Sequence, residues 1–105
     1  MTLTEINEIL TAVDPQIKHY FSMSKTDAYT YWEETKYLPF ISDGRYAEDK
    51  PIRFYVHRFT RTEEDPVAEA LFSALDQNDR IAVDRTVDYD KESNYIHHIF
   101  ECEGF

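Results

Sequence analysis

The chain has 105 residues, of which 42% are hydrophobic and 15% aromatic, and this content of buriable side chains excludes the intrinsically disordered class. Its length suffices for one domain and excludes two. The 21 acidic residues outnumber the 11 basic ones and give a net charge of -10, which argues against a protein whose main task is to grip nucleic-acid phosphates.

The scarcest residue types exclude several kinds of site. The single cysteine, Cys102, excludes an intrachain disulfide framework and fits a reduced, intracellular setting. Two glycines, Gly44 and Gly104, are too few for a P-loop or a dinucleotide-binding fingerprint. No apolar run approaches the roughly 20 residues of a membrane span, and the first residues lack the pattern of a signal peptide. We therefore expect a soluble protein with no membrane partner and no cofactor.

The N-terminal segment has the pattern of an amphipathic helix over residues 3–13. Thr2 and Glu5 have the spacing of a capping box, and Asp14-Pro15 predicts the end of the helix. The segment 28–37 that follows is dense in aromatic and β-branched residues and predicts the first strand. The apolar residues of the helix recur at the required three- and four-residue spacing, at Leu3, Ile6, Ile9, Leu10 and Val13.

The clearest strand pattern lies over residues 52–60. Ile52, Phe54 and Val56 alternate with polar and aromatic residues, as in a strand with one buried face. Polar residues from Ser42 to Pro51 separate this strand from the preceding one, so we expect a long hairpin loop.

A second helix and a final hairpin complete the predicted fold. Asp65-Pro66 supplies an N-cap and a proline at the first helical position, which predicts a helix over about 66–77. The segments 81–87 and 95–102 predict two strands joined by a charged turn over 88–94. The order helix, strand, strand, helix, strand, strand indicates an α+β fold, with a four-stranded, mainly antiparallel sheet and both helices packed on one face. We expect residues 1–105 to form this single domain.

Three histidines, His57, His97 and His98, lie on predicted strands and are candidate metal ligands. A pleated strand sends the neighbours His97 and His98 to opposite faces, and no strand spacing makes the three a compact ligand set. We therefore interpret them as half-exposed histidines of the sheet and predict no metal site.

The remaining chemical motifs are weak. The acidic turn over 88–92 begins like a calcium loop, but Ser93 stands where the turn glycine belongs. Cys102 lies between Glu101 and Glu103, whose charges disfavour the thiolate that a nucleophile needs. We therefore predict that the protein is not an enzyme.

Aromatic residues are more numerous than two short helices and a four-stranded sheet need inside. Two interpretations remain open, a purely internal role or a core together with a protein interface, because tyrosine and tryptophan are enriched at interfaces. The residues concerned are Tyr29, Tyr31, Trp32, Tyr37, Phe40, Tyr46, Phe54, Tyr55 and Phe59.

The element order and several segments resemble the tail terminator, or tail-completion, proteins of long-tailed bacteriophages and prophages. After a leading helix come the strand segment Tyr29-Thr30-Tyr31-Trp32 and the apolar-alternating strand over 52–59. A second helix from Val67 to Leu75 and a last pair of strands containing residues 95–100 follow. The resemblance covers nearly the whole chain.

The resemblance implies a structural role in the virion tail, for a protein made in the cytoplasm of the bacterial host. Such proteins form a ring, typically of six subunits, that caps the tail tube, ends its polymerisation and takes part in head-tail joining. The implied partners are copies of the chain itself, the tail-tube protein and the head-tail connector proteins. Six copies at -10 each give a ring of about -60, so DNA would pass through without specific binding.

Two sets of residues are candidate contacts in such a ring. The subunit-interface candidates, each equally explained as ordinary sheet surface, are Tyr31, Trp32, Arg53, Arg58 and Phe59, with the two arginines pairing with acids of the neighbour. The tube-contact candidate is the loop over 42–50, for which an exposed hairpin loop is the alternative, with the residues Asp43, Gly44, Arg45, Tyr46, Glu48 and Asp49.

The acidic composition also supports a function of another class. A small acidic binding module, such as an immunity protein or a DNA mimic, blocks a basic partner through its carboxylates. Self-association separates the two hypotheses, because such a blocker is usually a monomer or dimer whereas a terminator closes into a ring.

Overall fold

The helices and strands of the fold are seen in a computed structural model that describes residues 1–20, 26–38, 41–42, 45–46 and 51–105, with strand placement only at 41–42 and 45–46. In chain order the elements are α1 (Leu3–Val13), β1 (Lys18–His19), β2 (Ala28–Tyr37), β3 (Ile41–Ser42), β4 (Arg45–Tyr46), β5 (Ile52–Thr60), α2 (Pro66–Asp76), β6 (Ile81–Tyr89) and β7 (Ile96–Gly104).

Both helices begin at the caps that the sequence predicts. At α1 the Thr2 hydroxyl accepts a hydrogen bond from the Glu5 amide at 3.1 Å, and the Thr2 amide donates to the Glu5 carboxylate at 3.3 Å. This reciprocal pair confirms the capping box. At α2 the Asp65 carboxylate accepts from the Ala68 amide at 3.1 Å, with Pro66 in the first turn.

The main sheet has five strands in the order β1-β2-β5-β7-β6. Its four long strands pair antiparallel, and the short β1 pairs in parallel with β2 through Lys18 and Tyr31 and through His19 and Trp32. The α+β class is therefore confirmed, but the expected four-stranded sheet and element order are wrong. Two residues are too few to show an alternating pattern, so β1 has no signal in the sequence.

Two further strands lie where the sequence analysis places a loop. β3 and β4 pair with each other as a separate two-stranded sheet, Ile41 opposite Tyr46 and Ser42 opposite Arg45. The final hairpin is also longer than predicted, because pairing of β6 with β7 runs from Ile81 opposite Gly104 to Tyr89 opposite Ile96. Cross-strand hydrogen bonds continue there beyond the apolar pattern.

The hydrophobic core lies between one face of the main sheet and the two helices. Strand pairing places Trp32 beside Val56 and Phe54 beside Cys102, so these side chains share a face. The helices add Ile6 and Leu10 from α1 and Leu71 and Leu75 from α2, all fully buried in the same cluster. Burial of this apolar surface holds the helices against the sheet.

The opposite face of the sheet, which we call the open face, carries the other half of the alternating side chains. No helix of the described segments covers it, since the buried residues of both helices belong to the core on the other side. No helix in the described part of the chain is long and apolar enough to cross a membrane.

Candidate functional site

The open face gathers aromatic and imidazole rings from three neighbouring strands and from the turn before β7. The register sets Tyr29 opposite Phe59 and Phe59 opposite His97, and in the next row Tyr31 opposite His57. These alternate positions point away from the helices, as pleating requires. We call the group the open-face cluster; its members are Tyr29, Tyr31, His57, Phe59, Tyr95 and His97.

The rings of the open-face cluster stand side by side. The Tyr29 and Phe59 centroids are 4.7 Å apart and those of Phe59 and His97 are 4.0 Å apart, with nearly parallel planes. Tyr31 stacks on His57 at 4.5 Å, and Tyr95 meets Tyr29 edge-on at 5.7 Å. Such aromatic pairs add to stability beyond the area that they bury.

A chain of hydrogen bonds crosses the cluster from Glu33 through His57 to His97. The Glu33 Oε1 and His57 Nε2 atoms are 3.3 Å apart, and His57 Nδ1 lies 2.9 Å from His97 Nε2. Because the carboxylate accepts, neutral His57 is assigned its proton on Nε2, and His97 Nε2 must then donate to His57 Nδ1. This assignment leaves His97 Nδ1 as a hydrogen-bond acceptor.

The imidazole rings of His57 and His97 are both held in the neutral form. Burial, together with the neighbouring His57, lowers the pKa of His97 from 6.5 to about 4. Burial also lowers the pKa of His57, although the Glu33 carboxylate opposes this effect. Protonating both rings at once would place two positive charges at hydrogen-bonding distance, so acid should destabilise the cluster.

The first prediction concerns acid sensitivity. The folded-state pKa of His97 lies below its unfolded value, so the unfolded chain binds more protons between the two values and stability falls as the pH falls through this window. From about pH 7 to pH 4.5 we expect the wild type to lose about 1–2 kcal/mol more than the His97→Gln variant, since partial exposure screens part of the shift. Urea unfolding at the two pH values measures this. Equal losses in the two proteins would contradict the assignment.

The other end of the open face is charged. Arg53 donates to the Glu103 carboxylate at 2.8 Å, and the Tyr55 hydroxyl lies 3.5 Å from Glu101. Asp84 on β6, with Glu101 and Glu103, lines a shallow cleft of about 290 Å³. The open face is therefore aromatic at one end and predominantly acidic at the other.

Neither a metal centre nor an accessible cysteine nucleophile is seen among the described residues. Among the described residues, no three His, Cys, Asp or Glu side chains are placed to hold a metal ion together. Cys102 is fully buried, and burial raises the pKa of its thiol further above neutrality. What the open face offers is partly exposed aromatic surface, which suits contact with another protein.

The five residues proposed for the subunit interface fall into different places. Tyr31 and Phe59 are half-buried members of the open-face cluster, and Arg53 lies on the same face. Trp32 instead points into the core with no exposed surface, edge-on to Phe54 and stacked beneath His19 at 3.9 Å. In this conformation Trp32 cannot contact a neighbouring subunit.

Arg58 is also internal, because it pairs within its own chain. Its Nε donates to Asp65 Oδ2 at 2.7 Å and its Nη2 to Asp65 Oδ1 at 3.3 Å, and Nη1 donates to the Thr30 hydroxyl at 3.1 Å. Arg58 and Asp65 are 7% and 6% exposed, so neither is available to a neighbour's acid. Arg53 likewise has an acid of its own chain, Glu103, as its partner.

The proposed tube-contact loop cannot be placed in the same way. Asp43, Gly44, Glu48 and Asp49 lie outside the described residues. Arg45 and Tyr46 belong to β4, which pairs with β3.

Three residues that are not among the contacts proposed from the sequence are brought together here. His57 and His97 are 40 positions apart, and Glu33 is 24 positions from His57. The two-residue spacing of Tyr29, Tyr31 and Glu33 does place them on one face of a strand. Their meeting with His57 and His97 depends on strand pairing.

No family model matches the chain, and no curated protein matches it either.

Proposed function

We propose that this chain is a structural subunit of the tail terminator type, which closes into a ring and caps a phage tail tube. The resemblance of its element order and strand segments to that family supports the proposal. The single observation that carries it in the structure is the open-face cluster, a set of aromatic rings that no described helix covers. A chain of this size gains stability when such a surface packs against a partner.

A ring requires two different surfaces on each subunit, and two candidate patches lie on opposite faces of the main sheet. In a head-to-tail contact one patch meets a second, unlike patch of the next copy, and rotation closes the chain of contacts. The open-face cluster supplies the first patch. Val87 and Tyr89 of β6, each 54% exposed on the other side of the sheet, supply the second. Both patches contain partly exposed large side chains, so their association removes aromatic and aliphatic surface from water.

The charge of the chain fits a ring through which DNA slides. Each copy carries -10, and acids such as Asp84, Glu101 and Glu103 lie together at the surface. A lumen lined by acids repels phosphates and gives DNA no site to bind. The ring therefore acts as a passage and a cap, without chemistry.

The second prediction concerns assembly. We expect six-membered rings, seen by electron microscopy and light scattering, when the protein is mixed with polymerising tail-tube protein from the same genome. Tubes should stop growing with this protein at one end. The Tyr31→Glu variant should lose this capping, because it buries a charge in the proposed contact. Ala12→Glu, on the exposed side of α1, is the matched control and should cap normally.

Circular dichroism must show that both variants remain folded. If Tyr31→Glu unfolds, Tyr31→Ala replaces it, since this change removes ring surface without adding a charge. A monomer that leaves tube growth unchanged, or equal capping by Tyr31→Ala and wild type, would contradict the proposal.

The second candidate function is an acidic binding module, favoured by the cleft lined with Asp84, Glu101 and Glu103. A module of this kind blocks a basic protein and needs no ring. A stable monomer that binds a basic protein with strong salt dependence would favour this function over the terminator.

A further inference from the structure

A second cleft lies at the aromatic end of the open face, beside the turn that joins β6 to β7. Its volume is about 500 Å³, within the range of ~300–1,000 Å³ that is usual for ligand pockets. The lining residues are Tyr29, Phe59, Asp88, Asp90, Ser93, Tyr95 and His97. It is a different place from the acidic cleft at the other end of the face.

Three aromatic rings form the walls of this cleft. Tyr29 and Phe59 stack on each other, and Tyr95 meets Phe59 edge-on at 6.0 Å. The Tyr95 ring already carries a cation, because the Arg61 guanidinium lies 4.3 Å from its centroid. Arg61 is held there by Asp27 at 2.6 Å and by the Ser93 carbonyl at 3.3 Å. The walls are therefore of a kind that attracts guanidinium groups.

The polar groups of the cleft are mostly acceptors. Asp88 Oδ1 accepts from the Tyr89 amide at 3.0 Å, and Asp90 accepts from the Glu92 amide and the Ser93 hydroxyl. His97 adds the Nδ1 acceptor that its hydrogen bond to His57 leaves. Among the described residues that line the cleft there is no lysine or arginine. The nearby Arg61 is paired with Asp27, so the two carboxylates and the imidazole acceptor have no cationic donor among these lining residues.

We propose that this cleft binds the guanidinium group of an arginine side chain presented by a partner protein. Arginine fits better than lysine because its flat group stacks on aromatic rings and donates to a carboxylate from two nitrogens. Asp88 faces His97 across β6 and β7, so one guanidinium can reach the carboxylate and the imidazole acceptor. The cleft shares four of its lining residues with the open-face cluster, so it is open to a partner protein only in a chain that is not packed against a neighbouring subunit. Its test therefore uses the free chain and does not depend on ring formation.

The third prediction tests the chemical class of the ligand. Three short, unstructured peptides that differ at one position, arginine, lysine or the neutral isostere citrulline, are titrated into the 15N-labelled protein. We expect the arginine peptide to shift the amide signals of residues 88–97 and to bind at least about fivefold more tightly than the citrulline peptide, with lysine between them. Equal affinities for arginine and citrulline, or shifts confined to other residues, would overturn the proposal.

A matched pair of variants separates this site from general attraction to an acidic chain. Asp88 and Asp84 lie on the same face of β6. Replacing either residue with asparagine removes one negative charge. We expect Asp88→Asn to weaken the arginine peptide about fivefold and Asp84→Asn to leave its affinity within about twofold. Equal weakening by both variants would overturn the site.

Measurements on the protein without peptide show whether a second copy of this chain, rather than a separate partner protein, supplies the arginine. If another copy of this chain supplied the arginine, the signals of residues 88–97 would shift as the protein is concentrated and would no longer do so in Asp88→Asn, whereas a ring contact through the aromatic rings would persist in that variant. Such a shift would overturn the assignment to a separate partner protein. Concentration-independent signals, together with binding of the arginine peptide, support it.

Discussion

Replacing Arg58 with methionine is expected to lower the free energy of unfolding by about 3–5 kcal/mol, because it leaves the Asp65 carboxylate buried without its cation. Burial alone would raise the pKa of Asp65, but the hydrogen bonds and charge of Arg58 outweigh burial and hold the pKa below its usual range. Asp65 is therefore ionised at neutral pH. Urea unfolding followed by the fluorescence of the single tryptophan, Trp32, measures the loss.

The large effect follows from the position of Arg58 between four elements. From β5, Arg58 donates hydrogen bonds to Asp65, which precedes α2, and to Thr30 on β2. Its Nη1 also lies 3.9 Å from the carboxylate of Asp14, at the end of α1. The double variant Arg58→Met with Asp65→Ser is the control. Serine keeps a helix cap but carries no charge, so we expect recovery of about half the loss or more. A loss below about 1 kcal/mol in the single variant would contradict a buried pair.

Replacing Trp32 alone with alanine is expected to lower the free energy of unfolding by about 3–5 kcal/mol. Its side chain is completely buried against Phe54, its Nε1 donates to Asn7 Oδ1 at 3.3 Å, and His19 stacks on its outer side. Alanine would leave a cavity that the sheet and helices cannot close. Urea unfolding followed by circular dichroism provides the measurement, since the fluorescent ring is lost.

Two neighbouring changes make this result specific. Trp32→Phe keeps most of the volume and should lose less than half as much. Tyr31→Ala removes a ring from the open face, where it is only half-buried, and should also lose less. If Trp32→Ala had normal stability and failed only in ring assembly, the result would contradict an internal role for Trp32 and support a role in the subunit interface.

Because Arg58 and Trp32 are buried, they are removed from the set of residues proposed for the subunit contact. Tyr31, Arg53 and Phe59 remain on the open face, and Tyr29, Tyr95 and the His57–His97 pair join them there. These residues form one of the two patches proposed for the head-to-tail contact. This patch is also where low pH should act, because both histidines have lowered pKa values.

The sequence by itself determined the features that arise within one segment. Spacing of apolar residues and the caps at Thr2 and Asp65 fix the two helices, since capping and amphipathicity involve neighbours three or four positions apart. The alternation over 52–60 correctly assigns Ile52, Phe54 and Val56 to the buried side. Net charge and the scarcity of glycine follow directly from composition.

Tertiary structure decided what depends on partners distant in the chain. The first long strand is aromatic on both sides, so its sequence cannot tell whether Tyr31 or Trp32 faces the helices; pairing with β5 decides it by placing Trp32 beside Val56. The two-residue β1 exists through its pairing with β2. Strand register also brings His97 to His57 across 40 positions. Local patterns specify periodicity and propensity, whereas the order and register of strands depend on burial shared by the whole sheet.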